Sequence, residues 1–319
     1  MRPKISIIIP CKDIDRFTLE CIAGCRELEY EDFEIIVLPD HSSNLIRDIK
    51  IIPTGEVSPG RKRNIGFQNS TGDLLAFIDS DAYPRKDWLN NAVKYFTDME
   101  IAAVGGPGVM HEKDTVLQKA GGYILSSFMA GGLANRYNVG RPLVSYDIHS
   151  CNFITRRSVL EELGGWNEKY WPGEDTLICL GIKRLGKKMI ESPDVVVYHH
   201  RRSLFAQHLK QVSRFGQHRG FFAKRYPETS LRPNYFVPSM FVLFIISGIL
   251  FAPVDSSILI LYISILSIYS LAALAVSLKA TIAGKDLRFL PLVFMGTVAT
   301  HVVYGMSFLH GLGVRELER

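Results

Sequence analysis

The sequence predicts an α/β domain built on a parallel-dominated sheet, followed by a C-terminal region of apolar helices. Three observations carry this. Short β-branched runs alternate with helically spaced segments through the first two thirds of the 319 residues, the pattern of strand and helix repetition. Residues 237–252, 257–278 and 289–314 contain no lysine, arginine, aspartate or glutamate. An apolar run, Leu74–Ile78, ends in two carboxylates, Asp79 and Asp81; side chains at i and i+2 share one face of an extended chain and can approach one cation or polar ligand.

In order, Ile5–Pro10 is a continuous β-branched run, expected as a strand covered on both faces. Asp13–Leu28 has helical apolar spacing, and Phe33–Leu38 is a second strand ending in the turn 39–43. Ser58-Pro59 supplies an N-cap and a proline at the first helical position. Leu74–Ile78 is a strand, Asp87–Phe96 a helix, and Ile101–Val104 a strand stopped by Gly105-Gly106-Pro107. Cys151–Thr155 follows as a strand and Arg156–Leu163 as a helix, broken by Gly164-Gly165-Trp166; Glu174–Leu185 is a helix ended by Gly186, and Val195–Tyr198 a last strand. Ligands of such sheets bind beyond the carboxyl ends of the strands, where Pro10–Asp13, Asp40 and Asp79–Asp81 all fall.

The last third changes solvent. Arg201–Tyr226 interleaves basic residues with Leu204, Phe205, Phe215, Phe221 and Phe222, as expected of a helix on a membrane surface; an ordinary amphipathic helix has the same pattern. Of the three uncharged runs, the second and third reach the roughly 20 residues that cross a bilayer, and the first falls a little short. The loop 279–288 carries Lys279, Lys285 and Arg288 while 253–256 carries only Asp255, so the positive-inside rule puts 279–288 and the α/β region in the cytoplasm and residues 315–319 on the far side.

Composition excludes several classes. The net charge of +5 suits an anionic membrane face better than a nucleic-acid groove, so no nucleic-acid partner is expected. Five scattered cysteines give neither a disulfide framework nor a zinc cluster and point to a reducing compartment. No secretory leader is expected: Ile5–Ile9 is too short and runs into Pro10.

Taken in order, these pieces resemble the family 2 glycosyltransferases, inverting nucleotide-sugar enzymes with the GT-A fold. Arg63-Asn64-x-Gly66 matches R-N-x-G, and Gly72-Asp73 through Asp79-Ser80-Asp81 matches G-D-x-x-x-F-x-D-x-D. Gly164-Gly165-Trp166-Asn167-Glu168 is similar to G-G-F-D-E, Gly173-Glu174-Asp175 carries the E-D pair, and Val197-Tyr198-His199 matches the closing V-Y-H. The resemblance implies a GT-A domain at 1–200, a membrane-interface segment at 201–235 and helices crossing the membrane within 236–319.

It also implies roles. Pro10, Cys11, Asp13, Asp40, Arg63, Asp79 and Ser80 would line the nucleotide-sugar donor site. Asp79 and Asp81, with His199 as a third ligand, would hold Mg2+ or Mn2+ against the diphosphate. Asp175, beside Glu174 at a helix start where the dipole favours an ionised acid, would be the general base. Asn152, Trp166 and Trp171 would wall the acceptor site, as would Gln211 and Arg214 from a stretch similar to Q-x-x-R-W that lacks its tryptophan. Plainer readings stand beside these: Asp40 as a turn former, Arg63 on a solvated helix face, His199 as a strand-end residue, the acidic pair as ordinary helix-start acids, the tryptophans as core. Cys11-Lys12-Asp13 and Leu38-Pro39-Asp40 depart from the family's usual Thr-Tyr-Asn and Val-Asp-Asp and leave the donor base open, with uracil expected before guanine.

The expected reaction is transfer of a single sugar to a hydroxyl of a lipid-linked or membrane glycan. A polyprenyl-phosphate sugar synthase is the alternative enzyme, and a nucleotide-sugar- or lipid-binding scaffold the alternative without catalysis. Processive synthesis is not expected from so few spans.

Overall fold

Three consecutive isoleucines, Ile7–Ile9, suit a strand covered on both faces, and β1 (Ile5–Pro10) is buried at every residue. It is the third strand of an eight-stranded mixed sheet formed with β2 (Phe33–Leu38), β3 (Lys50–Ile51), β4 (Leu74–Phe77), β6 (Ile101–Gly105), β8 (Leu143–Ser145), β9 (Phe153–Arg156) and β10 (Lys188–Glu191), in the order β3-β2-β1-β4-β9-β6-β10-β8. Strands β2, β1 and β4 run parallel; β9 lies antiparallel between β4 and β6. A second sheet of three short strands, β5 (Ala82–Pro84), β7 (Gly108–Met110) and β11 (Val197–His199), has β11 in the middle. The computed structural model describes residues 2–317 apart from 43–45, 47, 139 and 252. Ser43, Ala252 and 318–319, on which parts of the expected turn, span and far-side tail fall, lie outside the described residues.

The expected cap at Ser58 is present, and the helix expected from Asp13 begins three residues later, behind Asp15. In α1 (Arg16–Arg26) Asp15 accepts from the backbone N–H groups of Phe17 and Thr18, and in α2 (Pro59–Gln68) Ser58 accepts from Arg61. The expected helix at 87–96 is a short α3 (Trp88–Val93) that tightens into a 3-10 turn, Lys94–Thr97. A helix the sequence reading passed over, α4 (Val116–Leu125), opens on a capping box between Thr115 and Gln118. Helices α5 (Arg157–Leu163) and α6 (Glu174–Arg184) complete the sheet's covering. Two apolar clusters back the large sheet: one holds Ile7, Ile9, Trp88 and Leu89, the other Ile8, Phe77, Phe153 and Trp166. All five cysteines are free and buried.

By contacts the chain forms two units, Met1–Met110 with Asn135–His200, and His111–Ala134 with Arg201–Glu318. The second is helical: α4, α7 (Ala206–Arg225), α8 (Pro227–Ser230), α9 (Pro233–Phe251), α10 (Ser256–Gly284) and α11 (Phe289–Gly313). Among the described residues, α9, α10 and α11 are long and apolar enough to cross a membrane. The expected second span stopped at Leu278, but α10 runs on to Gly284; at 1.5 Å per residue it is about 44 Å long, longer than a hydrocarbon core of roughly 30 Å. α7 packs on α11 through glycines, and a Cβ at Gly220 would lie 2.1 Å from the Phe308 carbonyl oxygen.

Candidate active site

The site is assembled at the carboxyl end of β4. Its apolar residues are buried, and the chain leaves the sheet at Ile78, so Asp79 and Asp81 emerge half-buried. Strand β5 starts at the next residue and pairs antiparallel with β11, with Ala82 opposite His199. That register carries His199 to the acids: its Nε2 lies 3.1 Å from Asp81 Oδ1, and the His200 N–H donates to the Asp81 carbonyl at 3.0 Å. One ligand atom from each of Asp79, Asp81 and His199 lies within 4.8 Å of the other two. Two carboxylate oxygens and an imidazole nitrogen, open on one side, suit a divalent cation of the Mg2+ or Mn2+ kind that keeps positions free for a donor's oxygens.

Arg63 ties this end of β4 to α6. Its guanidinium is buried in α2 and donates to Asp79 Oδ1 at 2.9 Å, Ser150 Oγ at 2.9 Å and Glu174 Oε1 at 2.8 Å. It also lies 5.0 Å from the centre of the Trp166 ring. Burial works against the Arg63 charge, but Glu174 and Asp79 more than offset it and raise the pKa. Burial pushes the Glu174 carboxyl up to about 7, with Arg63 pulling the other way and Asp175 adding to the rise. The plain solvated-face reading of Arg63 therefore fails: it is an internal strut between two acids 95 residues apart in sequence (79 and 174).

Asp175 stands in the first turn of α6, entered through Gly173 at φ 120°, a conformation that side-chain-bearing residues rarely adopt. Its Oδ1 accepts from the Thr176 N–H at 2.7 Å and its Oδ2 lies 3.5 Å from Arg136 Nη1. Arg136 also pairs with Asp147 at 2.8 Å. A second latch closes the same region: Asn64 exchanges hydrogen bonds with the Trp166 backbone at 2.9 and 2.7 Å and donates to Glu168 at 2.7 Å. Thus R-N-x-G and G-G-W-N-E, about a hundred residues apart, form one joint.

On the other flank Pro10 ends β1 and Cys11 bonds the Leu38 carbonyl, both buried. Asp40 is buried in an ion pair with Lys62, whose Nζ also donates to the carbonyls of Cys11 at 2.7 Å and Leu38 at 3.2 Å. Asp13 is exposed and Ser80 half-buried. Asn152 is fully buried, accepting from Trp88 Nε1 and donating to the Val195 carbonyl. Trp166 sits edge-on against Phe77 and Phe153 in the core. Both are buried, whereas Trp171 is exposed. Gln211 and Arg214 lie on α7, in the helical unit.

The sequence reading overlooked Lys62, Arg136, Asp147 and Ser150. Lys62 had a signal, since it directly precedes Arg63 on α2, and one turn of helix puts neighbours against different strands. Arg136 had none; it lies in a glycine-rich stretch without periodicity.

Residues 6–164 match the profile of the family described as glycosyl transferase family 2. A pre-mycofactocin glycosyltransferase of Mycobacterium tuberculosis is 27% identical over 170 residues, covering 53% of this chain and 36% of its own. A Methanococcus voltae protein, dolichyl N-acetyl-alpha-D-glucosaminyl phosphate 3-beta-D-2,3-diacetamido-2,3-dideoxy-beta-D-glucuronosyltransferase, is 23% identical over 244 residues, 69% of this chain and 74% of that one. A probable glycosyltransferase of Bacillus subtilis is 29% identical over 206 residues, 58% of this chain and 47% of its own. The chain thus spans about a third to a half of the length of two of these relatives. A mannosyltransferase from Pyrobaculum calidifontis, solved in complex with GDP-Man and Mn2+, aligns with a TM-score of 0.58 at 19% identity, covering 99% of this chain and 89% of that one. It shares the fold, a GT-A α/β domain followed by apolar helices.

Proposed function

We propose that this chain, which belongs to glycosyltransferase family 2 through the domain at residues 6–164, moves one sugar with inversion from a nucleotide-sugar to a hydroxyl of a lipid-linked or membrane glycan. The observation that supports the reading is the Arg63 strut, which joins Asp79, a member of the Asp79–Asp81–His199 group, to Glu174, the chain neighbour of Asp175. Asp79, Asp81 and His199 would hold Mg2+ or Mn2+, which would supply positive charge to a leaving diphosphate. Asp175 Oδ2 takes the acceptor hydroxyl's proton as that oxygen attacks from the face opposite the diphosphate. Arg63 and Glu174 keep the α6 start fixed relative to the acids of β4.

Support for a nucleotide-sugar and a metal comes from the GDP-Man and Mn2+ of the Pyrobaculum complex, and for a lipid-linked acceptor from the dolichyl sugar phosphate in the Methanococcus protein's name. Residues 1–200 would work at the cytoplasmic face, with 201–235 in the interface and 236–319 in the bilayer. Arg136 beside Asp175 favours one second reading, a polyprenyl-phosphate acceptor, which arrives ionised and needs no base.

Thermal-shift screening of UDP- and GDP-sugars tests the donor step, since a ligand that binds only the folded state raises its apparent stability. A rise is expected with one nucleotide class, only with Mn2+ or Mg2+ present, and is lost in Asp81→Asn. No shift with any nucleotide-sugar and metal contradicts the proposal.

A further inference from the structure

Membrane helices that pack only to hold a protein in lipid fill the space between them; here they leave a cavity of about 370 Å³ inside the helical unit. Its walls come from the 124–130 segment, α7, α9, α10 and α11, and are largely aromatic and aliphatic: Phe128, Phe215, Tyr235, Phe241, Tyr269 and Tyr304. Phe128, Val237 and Asn234 are exposed side chains in its lining. Tyr304 is buried in the wall, and its hydroxyl has no hydrogen-bond partner. Tyr269 and His301 do bond, at 2.8 Å, and His301 Nε2 reaches the Met129 carbonyl at 3.1 Å.

A void of this size forfeits dispersion contacts along every wall when empty. Water is a poor filler, because each buried molecule needs two to four polar partners and most of this lining has none to give. An apolar chain satisfies the walls, and one oxygen on it satisfies Tyr304. Room for about a dozen carbon-sized groups, at roughly the 30 Å³ of a liquid water each, takes part of one chain and excludes both tails of a diacyl lipid.

We infer that this cavity is a binding site for a single lipid chain, its hydrocarbon held by the aromatic walls and an oxygen of the lipid accepting from the Tyr304 hydroxyl. All of its lining belongs to the helical unit, and its occupancy does not depend on the donor chemistry of the α/β unit.

Native mass spectrometry of the full chain in detergent micelles, with added phosphatidylglycerol or undecaprenyl phosphate, tests the site. One lipid per chain is expected to survive activation that strips loosely held lipid. Ala272→Phe, which fills the cavity from α10, is expected to lower that occupancy at least tenfold; Leu271→Phe, on the exposed side of the same helix, leaves it unchanged. Tyr304→Phe lowers it several-fold. Competition between the two lipids decides whether a polyprenyl or an acyl chain is the natural occupant. Equal retention by the Ala272 and Leu271 variants overturns the inference. If Ala272→Phe does not fold, wild-type affinity for n-alkyl phosphates decides: it should rise with chain length and level off at about dodecyl. A rise that continues unbroken to hexadecyl overturns it.

Discussion

The α/β unit and the helical unit treat the same side chains in opposite ways. In β1 and β4 isoleucine, leucine and phenylalanine are at or near zero exposure, while Ile260, Ile268 and Leu271 on α10 stand 65–68% exposed. The first unit buries apolar surface away from water; the second presents it outward, as a structure solvated by lipid must. Buried polar groups differ as well. The α/β unit neutralises charge with charge, through Arg63, Glu174 and Asp79. The helical unit adds neutral pairs, such as His208 with Thr300 at 2.9 Å and Ser213 with Ser307 at 2.9 Å, to its buried Asp114, Arg201 and Arg219. Chemistry that handles a diphosphate belongs with the charges, and recognition of a lipid chain with the neutral walls.

Breaking the charged network gives the largest separation between the units. Arg63→Met leaves Glu174 buried without its cation, and loss of one partner from such a pair costs about 3–5 kcal/mol. Differential scanning fluorimetry, following the tryptophans at 88, 166 and 171, all in the α/β unit, is expected to show that unit melting early. Circular dichroism should retain the helical signal of α9–α11. A loss of both together contradicts the independence of the two networks.

How much of this was legible follows the range of the interactions. Local signals worked: the Ser58 cap, the β-branched runs and the uncharged spans each depend on residues within a turn or two. The Asp79–Asp81 pair was readable because i, i+2 geometry is fixed by the strand. Arg63 was visible as part of a motif, but its double ion pair depends on α2 and α6 meeting beneath β4, which no local pattern encodes. Asn152 and Trp166 read as pocket walls because their residue types suit a sugar; the packing of Trp88 and Phe153 decides that they are buried. α4 was missed although its Thr115-x-x-Gln118 capping box was present in the sequence, because its apolar face serves the helical unit and not the neighbouring strands.

Acidity should pull the two units apart in opposite senses. His208 is pushed down from 6.5 to about 4 by burial. Its contribution is intact above about 6.5 and is lost as pH falls toward 4, a span of up to about 3 kcal/mol. Glu174, raised from 4.5 to about 7, acts the other way: its contribution is full below about 4.5 and lost as pH rises through 7. Unfolding followed separately in each unit between pH 4 and 8 checks both signs, and His208→Gln should flatten the acid limb of the helical unit alone.

A smaller effect is expected where α7 meets α11. Gly220→Ala puts a methyl group against the Phe308 carbonyl, and such overpacking costs about 1–3 kcal/mol. Helical-unit stability should fall while nucleotide-dependent thermal shifts persist. The smallest is Arg61→Ala. It removes an exposed pair with Glu168, 48% and 40% accessible, and is expected to change the melting free energy by no more than about 0.5 kcal/mol.

The account turns on whether the carboxylate at the start of α6 accepts the acceptor's proton. Steady-state kinetics of Asp175→Asn against wild type, with the nucleotide-sugar identified by thermal shift, measures this directly. A fall in kcat of about 10²- to 10⁴-fold is expected, with the donor KM within a few-fold of wild type. Turnover close to wild type would contradict base catalysis by Asp175 and hand the site to an acceptor that is already ionised.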